Sequence, residues 1–273
     1  MPKKKKEPRV ATAKVVDKYE LYEASVQCSE AEVNFIEEKF SELRGRPARS
    51  LREDFCGSAQ VCREWIERNN KNLAIGVDLD KTVLAWGYKK NFSNLSKSKK
   101  SRVNLINSDV LSVSTPNQDV ICATNFSYWQ FSDRSVLGQY FTRVRKCLNH
   151  DGIFVLDFYG GHDATKNLKE ETQYDDFVYI WEQSSFNPIN NMQLCYIHFR
   201  FPDGSKIDRA FTYSWRFWSI REIREILVNA GFSQSYVYWQ DWDEEKNEAT
   251  SDFNIVEKVD NDAAWIGYIV ALF

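Results

Sequence analysis

The apolar positions along the chain change period as it proceeds, and each change marks a different kind of structure. Over 10–43 they recur at steps of three and four. Val15, Tyr19, Tyr22 and Val26 make one such series, and Val33, Ile36 and Phe40 another, the spacing of one helical face. Gly45, Arg46 and Pro47 stop that pattern. From 48 to 158 short apolar runs alternate with helical stretches, as happens where parallel strands are joined by helical crossovers. The spacing predicts strands over 48–55, 73–77, 103–106, 120–124 and 153–158. It predicts helices over 58–68, 81–91 and 133–148, with the Ser/Lys-rich 93–100 as a loop. After Gly160-Gly161 the pattern becomes long aromatic alternation over 177–186, 192–201 and 206–218. Pro202-Asp203-Gly204-Ser205 joins the second pair as a hairpin turn. A helix over 219–229 follows, with Ser219 placed to cap it ahead of Glu222 and Gly231 just past its end. Strands over 236–242 and 265–273 close the chain.

This order predicts an α/β protein built on a Rossmann-like sheet with helices on both faces. An N-terminal helical extension precedes the sheet, and an antiparallel β insertion follows strand 5. The expected divisions are a disordered basic tail over 1–11, a helical cap over 12–47 and a core over 48–160. The insertion takes 161–218, and 219–273 returns to the core.

Composition narrows the partners. With 273 residues, 43% of them hydrophobic, there is material for one large domain or one domain carrying an insertion. A net charge of −3 gives no basic face for phosphate, so a nucleic-acid partner is not expected. The run Lys3-Lys4-Lys5-Lys6 reads as a solvated tail before a nuclear signal or a nucleic-acid arm. Six cysteines lie scattered without metal-ligand spacing, so no metal is expected. No apolar run resembles a secretory signal or a membrane span. The expectation is a reduced, cytoplasmic protein with no membrane partner; the sequence carries no sign of its oligomeric state.

The stretch carrying the most chemistry is Leu51-Arg52-Glu53-Asp54-Phe55-Cys56-Gly57-Ser58-Ala59. It leaves a strand, turns through small residues and opens a helix, presenting backbone N–H groups to a ligand. Glu53 and Asp54, adjacent on a strand, face opposite ways, so one of them is expected to be structural, with Asp54 pairing with Arg52 or Arg63. Asp78 ends the second predicted strand, 21 residues after Gly57, where a carboxylate can accept from both hydroxyls of a ribose. Asp109 follows the third strand, where an adenine amino group would be held. Alone, Asp78 reads equally as a helix cap and Asp109 as a turn residue; their order, each at a strand's carboxyl end, is what singles them out. Cys56 has no histidine near it in sequence and reads as a packed small residue. A dinucleotide-binding oxidoreductase would want the fuller G-x-G-x-x-G, which is absent.

On these residues the chain resembles the class I S-adenosylmethionine-dependent methyltransferases, small-molecule type, over about 48–273. That family's first motif, acid, two residues, Cys-Gly, small, Gly, is matched by Glu53, Cys56, Gly57, Ser58 and Ala59. Phe55 and Ala59 depart from it, standing where the first and last glycines occur and narrowing the loop. The resemblance implies a cofactor set of Glu53, Cys56, Gly57, Ala59, Asp78, Leu79, Asp109, Val110 and Asn125. Glu53 would face the amino group, Asp78 the ribose, Asp109 with Val110 the adenine, and Asn125 the methyl group. It also implies that the antiparallel insertion roofs an acceptor pocket, for which Tyr22, Tyr128, Trp129, His162, Tyr213 and Arg216 are the candidates. His162 is the best-placed base, but methyl transfer runs largely on positioning, and the catalytic residue stays unassigned. The expected activity is transfer of a methyl group to N, O or S of a small molecule. The rivals are a protein or RNA methyltransferase, an enzyme using the cofactor for another transfer, and a non-catalytic binding protein.

Overall fold

In the computed structural model the structure describes residues 12–243 and 248–273, so the predicted basic tail lies outside the described residues. The chain divides into two compact units. Of the described residues, one comprises 12–26 with 165–215, the other 27–164 with 216–243 and 248–273.

The larger unit is built on one eight-stranded sheet. Its strands are β1 (Ser50–Asp54), β2 (Leu73–Asp78), β3 (Val103–Asn107), β4 (Gln118–Ala123), β5 (Leu148–Gly160), β10 (Gln234–Asp243), β11 (Glu248–Ile255) and β12 (Trp265–Leu272). The spatial order is β11-β10-β12-β5-β4-β1-β2-β3. β1 to β5 run parallel, and β12 enters antiparallel between β5 and β10. Strand order reverses between β1 and β4, the place where open α/β sheets bind ligands beyond their strands' carboxyl ends.

Helices cover both faces. α2 (Ser29–Arg44) and α3 (Gln60–Arg68) pack with Leu51, Val120, Cys122, Ile153, Val155 and Val270. On the other face α6 (Arg134–Lys146) sets Tyr140 and Phe141 edge-on to Phe154. α7 (Ile220–Asn229) begins with the predicted capping box: Ser219 accepts from the Glu222 N–H, and the Glu222 carboxylate accepts from Ser219 N–H. α4 (Lys81–Gly87) continues into a π turn over Tyr88–Phe92, where one long helix is expected. A four-residue helix, α5 (Lys97–Lys100), occupies the stretch predicted to be loop.

The smaller unit is a four-stranded antiparallel sheet, β6 (Leu168–Gln173), β7 (Val178–Asn187), β8 (Met192–Arg200) and β9 (Lys206–Arg216), with α1 (Lys18–Ser25). The insertion thus has four strands where aromatic alternation predicts three. Leu21 of α1 is buried with Phe177, Ile197 and Phe199 of this sheet, and Tyr174 donates from its hydroxyl to the Ser25 carbonyl. The expected cap over 12–47 is therefore split, α1 packing on the antiparallel sheet and α2 on the large one. Among the described residues no helix is long and apolar enough to cross a membrane, and no group of three or more His, Cys, Asp or Glu is arranged to hold a metal.

Candidate active site

The turn from β1 into α3 carries three alternate residues in the left-handed region: Phe55 at φ 57°, Gly57 at 53° and Ala59 at 60°. In the family that the sequence resembles, glycine stands at these positions; here two of the three residues carry a Cβ. Each such residue costs about 1–2 kcal/mol, and surrounding contacts hold the turn in place. Cys56 N–H donates to the Val77 carbonyl at 3.0 Å and Ala59 N–H to that of Cys56 at 2.7 Å. Asn91 in the π turn donates to the Ser58 carbonyl at 3.1 Å. Gly87 packs against Ser58 so closely that a Cβ there would lie 2.5 Å from the Ser58 oxygen. At Gly57 the reverse holds: a Cβ would meet nothing within 4 Å, so the loop's crest is open to a ligand.

Asp78 closes the arrangement. One carboxylate oxygen accepts the Gly57 N–H at 2.8 Å, the other the Asp80 N–H at 2.8 Å. A carboxylate has about four lone-pair directions, so each oxygen keeps capacity for a ligand hydroxyl. The helix cap that Asp78 alone could have been is Asp80, which accepts the Thr82 N–H at the start of α4. Next to Asp78, Leu79 is 72% exposed. Asn107, at the end of β3, donates to the carbonyls of Asp78 and Leu79 at 3.1 and 2.8 Å and fixes this corner. Asp109 accepts the Leu111 N–H at 2.8 Å in a turn, and Val110 beside it is buried.

Glu53 and Asp54 part to opposite faces, as expected. Asp54 is held by Arg52 through Nε at 2.7 Å and Nη2 at 3.0 Å, and by the Tyr140 hydroxyl at 2.8 Å. That group is structural. Glu53 points to the α3 side and accepts the Cys62 N–H at 3.0 Å. Burial pushes its carboxyl up to about 8, the Cys62 hydrogen bond opposing and the charges of Glu32 and Asp78 adding to the rise. Cys56 is buried, its thiol raised by burial, as a packed residue would be.

Past β4, Asn125 and Phe126 both adopt φ 55°, and their N–H groups donate to the two oxygens of Asp157 at 2.5 and 2.9 Å. Asp157, on β5 and directly opposite Tyr268 of β12, is buried, and burial holds its carboxyl above the usual range. Strand periodicity places Asp78, Glu53 and Asp157 on one face at the carboxyl ends of β2, β1 and β5.

The acceptor candidates fall in different places. Tyr128 is fully buried and donates its hydroxyl to the Asp157 carbonyl. Trp129 is fully buried too, stacked 4.8 Å from Tyr159 and edge-on to Phe217 at 5.2 Å. Both are packing residues behind the turn; the half-buried rings of Phe126, Tyr159 and Phe217 are the ones beside it. His162 has its ring nitrogen Nδ1 against the Asp163 carboxylate at 2.9 Å, and its backbone N–H donates to the Asp262 carbonyl. Arg216 donates to Glu222 at 3.0 Å and to the Ser132 carbonyl, and lies 3.7 Å over Trp218, so the carboxylate it meets is the chain's own. Tyr22 and Tyr213 belong to the smaller unit, packed against its core. The ring of Phe55 is taken up against Phe131 and Tyr140 at 5.8 and 5.5 Å.

Sequence reasoning missed Gly87, Asn91, Asn107 and Asp157. Asp157 had a signal, a lone acid inside the apolar run Ile153-Phe154-Val155-Leu156-Asp157-Phe158.

No family model and no curated protein matches the chain. Solved structures do. An S-adenosylmethionine-dependent methyltransferase from Clostridium acetobutylicum superposes with a TM-score of 0.68 at 19% identity, over 93% of this chain and 97% of that one. An amino pentose methyltransferase from Micromonospora echinaspora, involved in calicheamicin biosynthesis, gives 0.67 at 11%, over 94% and 98%. A sugar N-methyltransferase from a Streptoalloteichus species gives 0.62 at 14%, over 97% and 96%. The chain therefore has the Rossmann-like fold of these S-adenosylmethionine-dependent methyltransferases, with β12 entering its sheet antiparallel.

Proposed function

We propose that the protein is an S-adenosylmethionine-dependent methyltransferase acting on N, O or S of a small molecule, with an amino sugar the best-supported class of acceptor. The observation that carries the reading is the 2.8 Å bond from Gly57 N–H to Asp78. It joins an open glycine crest to a carboxylate with spare acceptor capacity on both oxygens, which is what a ribose with two adjacent hydroxyls needs. Exposed Leu79 offers apolar surface that an adenine ring would cover, and Asp109 with Val110, in the turn after β3, are the residues we assign to the ring's edge. Glu53, on the side where the ammonium group of the ligand's amino acid end would lie, is an acid that burial keeps largely protonated without ligand and that a bound cation would ionise. Cys56 and Ala59 shape the loop by being small and buried.

When bound, the cofactor supplies a methyl carbon activated by a positively charged sulfur, open to in-line attack by a nucleophile. The chain's part is to orient, to exclude water and to keep the acceptor in line. Asp157 positions the Asn125–Phe126 turn through two N–H groups. The half-buried rings of Phe126, Tyr159 and Phe217 suit the apolar face of a sugar. The amino pentose and sugar enzymes among the similar structures support that class. Incubation with S-adenosylmethionine and a panel of amino sugars and their nucleotide derivatives, read by mass spectrometry, tests it. A mass gain of one methyl, absent in Asp78→Ala, is expected. Turnover of a protein or an RNA with none of the panel would transfer the reading to a macromolecular acceptor.

A further inference from the structure

Glu32 is a charged residue where a core residue should be. It lies in the first turn of α2, one residue before Val33 and four before Ile36, both fully buried. It is itself only 8% exposed, and its Oε2 has no hydrogen-bond partner among the described residues. A buried carboxylate oxygen left without a donor is costly and calls for one from outside the chain.

The direction in which it points follows from how α2 is anchored. At the far end of this helix Arg44 donates to the Gly152 carbonyl, and Arg46, just beyond, bonds to Asp119 and Asp151. Those residues sit at the amino ends of the parallel stretches of β4 and β5. Sixteen residues of helix span ~24 Å, so running back along the sheet brings its first turn to the carboxyl ends of the same strands. There its charge acts on Glu53, Asp157, Cys122 and Tyr268. Burial pushes the Glu32 carboxyl up to about 7, as expected of an acid with no cation beside it.

We propose that Glu32 is a binding residue of the cofactor site, which with Glu53 receives the ammonium group of the ligand's amino acid end. The inference rests on the cofactor reading above and assigns its charged end to α2, a helix that lies before the glycine-loop motif in the chain. Lys39, the other charged residue buried on α2, is paired with Glu38 and Glu42, whereas the Glu32 Oε2 has no such partner among the described residues.

The test uses two ligands that share adenine and ribose but differ at the other end. S-adenosylhomocysteine carries the amino acid group; 5′-methylthioadenosine lacks it. Calorimetric titration of the whole protein and of Glu32→Gln with each compares the two ends. The expected result is unchanged affinity for methylthioadenosine and a loss of about 10-fold or more for S-adenosylhomocysteine, the size of a charge-assisted bond. Equal losses for both ligands would mean a structural role for Glu32, and no loss for either would mean no role; each overturns the inference while leaving the cofactor reading intact. Binding of neither ligand to the unmodified protein would overturn both. Retained methylthioadenosine affinity also serves as the control that Glu32→Gln folds.

Discussion

Truncating Phe55 in two steps separates what its ring does from what its backbone costs. Phe55→Ala removes a half-buried ring that packs edge-on against Phe131 and Tyr140. Full burial of such a ring would make this worth about 3–5 kcal/mol; for a half-buried one we expect about 2 kcal/mol lost. The second step, Ala to Gly at the same position, runs against the ordinary rule. At most sites glycine is the worse residue, because it has more conformational entropy to lose, about 0.5–1 kcal/mol. At φ 57° the Cβ itself is penalised by about 1–2 kcal/mol, so Phe55→Gly should be more stable than Phe55→Ala by about 0.5–1 kcal/mol. Urea denaturation followed by tryptophan fluorescence reads the difference as a shift in midpoint at constant slope. The same sign is expected for Ala59→Gly, at φ 60°. A less stable glycine variant at both sites would refute the left-handed loop and, with it, the equivalence of this turn to a glycine loop.

Other outcomes follow from the same structure. Arg52→Met should cost about 3–5 kcal/mol, because it leaves Asp54 buried without its counter-charge, whereas Tyr140→Phe, which removes one of three hydrogen bonds to Asp54, should cost about 1 kcal/mol; similar losses in thermal unfolding would refute the network. In the absence of ligand, stability should fall as pH rises from about 4.5 toward 8. Glu32 and Glu53 are raised from 4.5 to about 7 and about 8 in the folded chain, so the native state binds more protons across that window, and Glu53→Gln should flatten the slope. Asp157→Asn turns an amide N–H₂ toward one of two N–H groups, and should cost about 2 kcal/mol and loosen the Asn125–Phe126 turn in hydrogen exchange.

What the sequence made legible depends on whether a residue's role leaves a period. The parallel strands and their helices did, because buried strands read as continuous apolar runs. β6 and β11 did not. Leu168-Lys169-Glu170-Glu171-Thr172-Gln173 and the segment from Glu248 to Ile255 are mostly polar because each lies at the edge of its sheet, where charge protects an exposed strand. The glycine loop was legible as a motif, and Asp78 by its place at a strand's end. Whether an aromatic is pocket or core was not: Tyr128 and Trp129 share a segment with Phe126, and only packing separates them. Arg216 looked free to meet a carboxylate because Glu222, its partner, lies on the helix that follows the strand. Asp157 was visible as an acid in an apolar run, a conflict between position and chemistry that often marks a site, whereas Glu32 is one of several acids of α2 and only its burial singles it out.

The central claim is that Asp78 and the open crest at Gly57 hold the ribose of S-adenosylmethionine. Calorimetric titration of the unmodified protein and of Asp78→Ala with S-adenosylmethionine and S-adenosylhomocysteine tests it most directly. Saturable one-site binding of both to the unmodified protein is expected, with no measurable binding to Asp78→Ala. Undiminished affinity in Asp78→Ala would contradict the placement of the ribose, and no binding to the unmodified protein would bring forward a non-catalytic role for this fold.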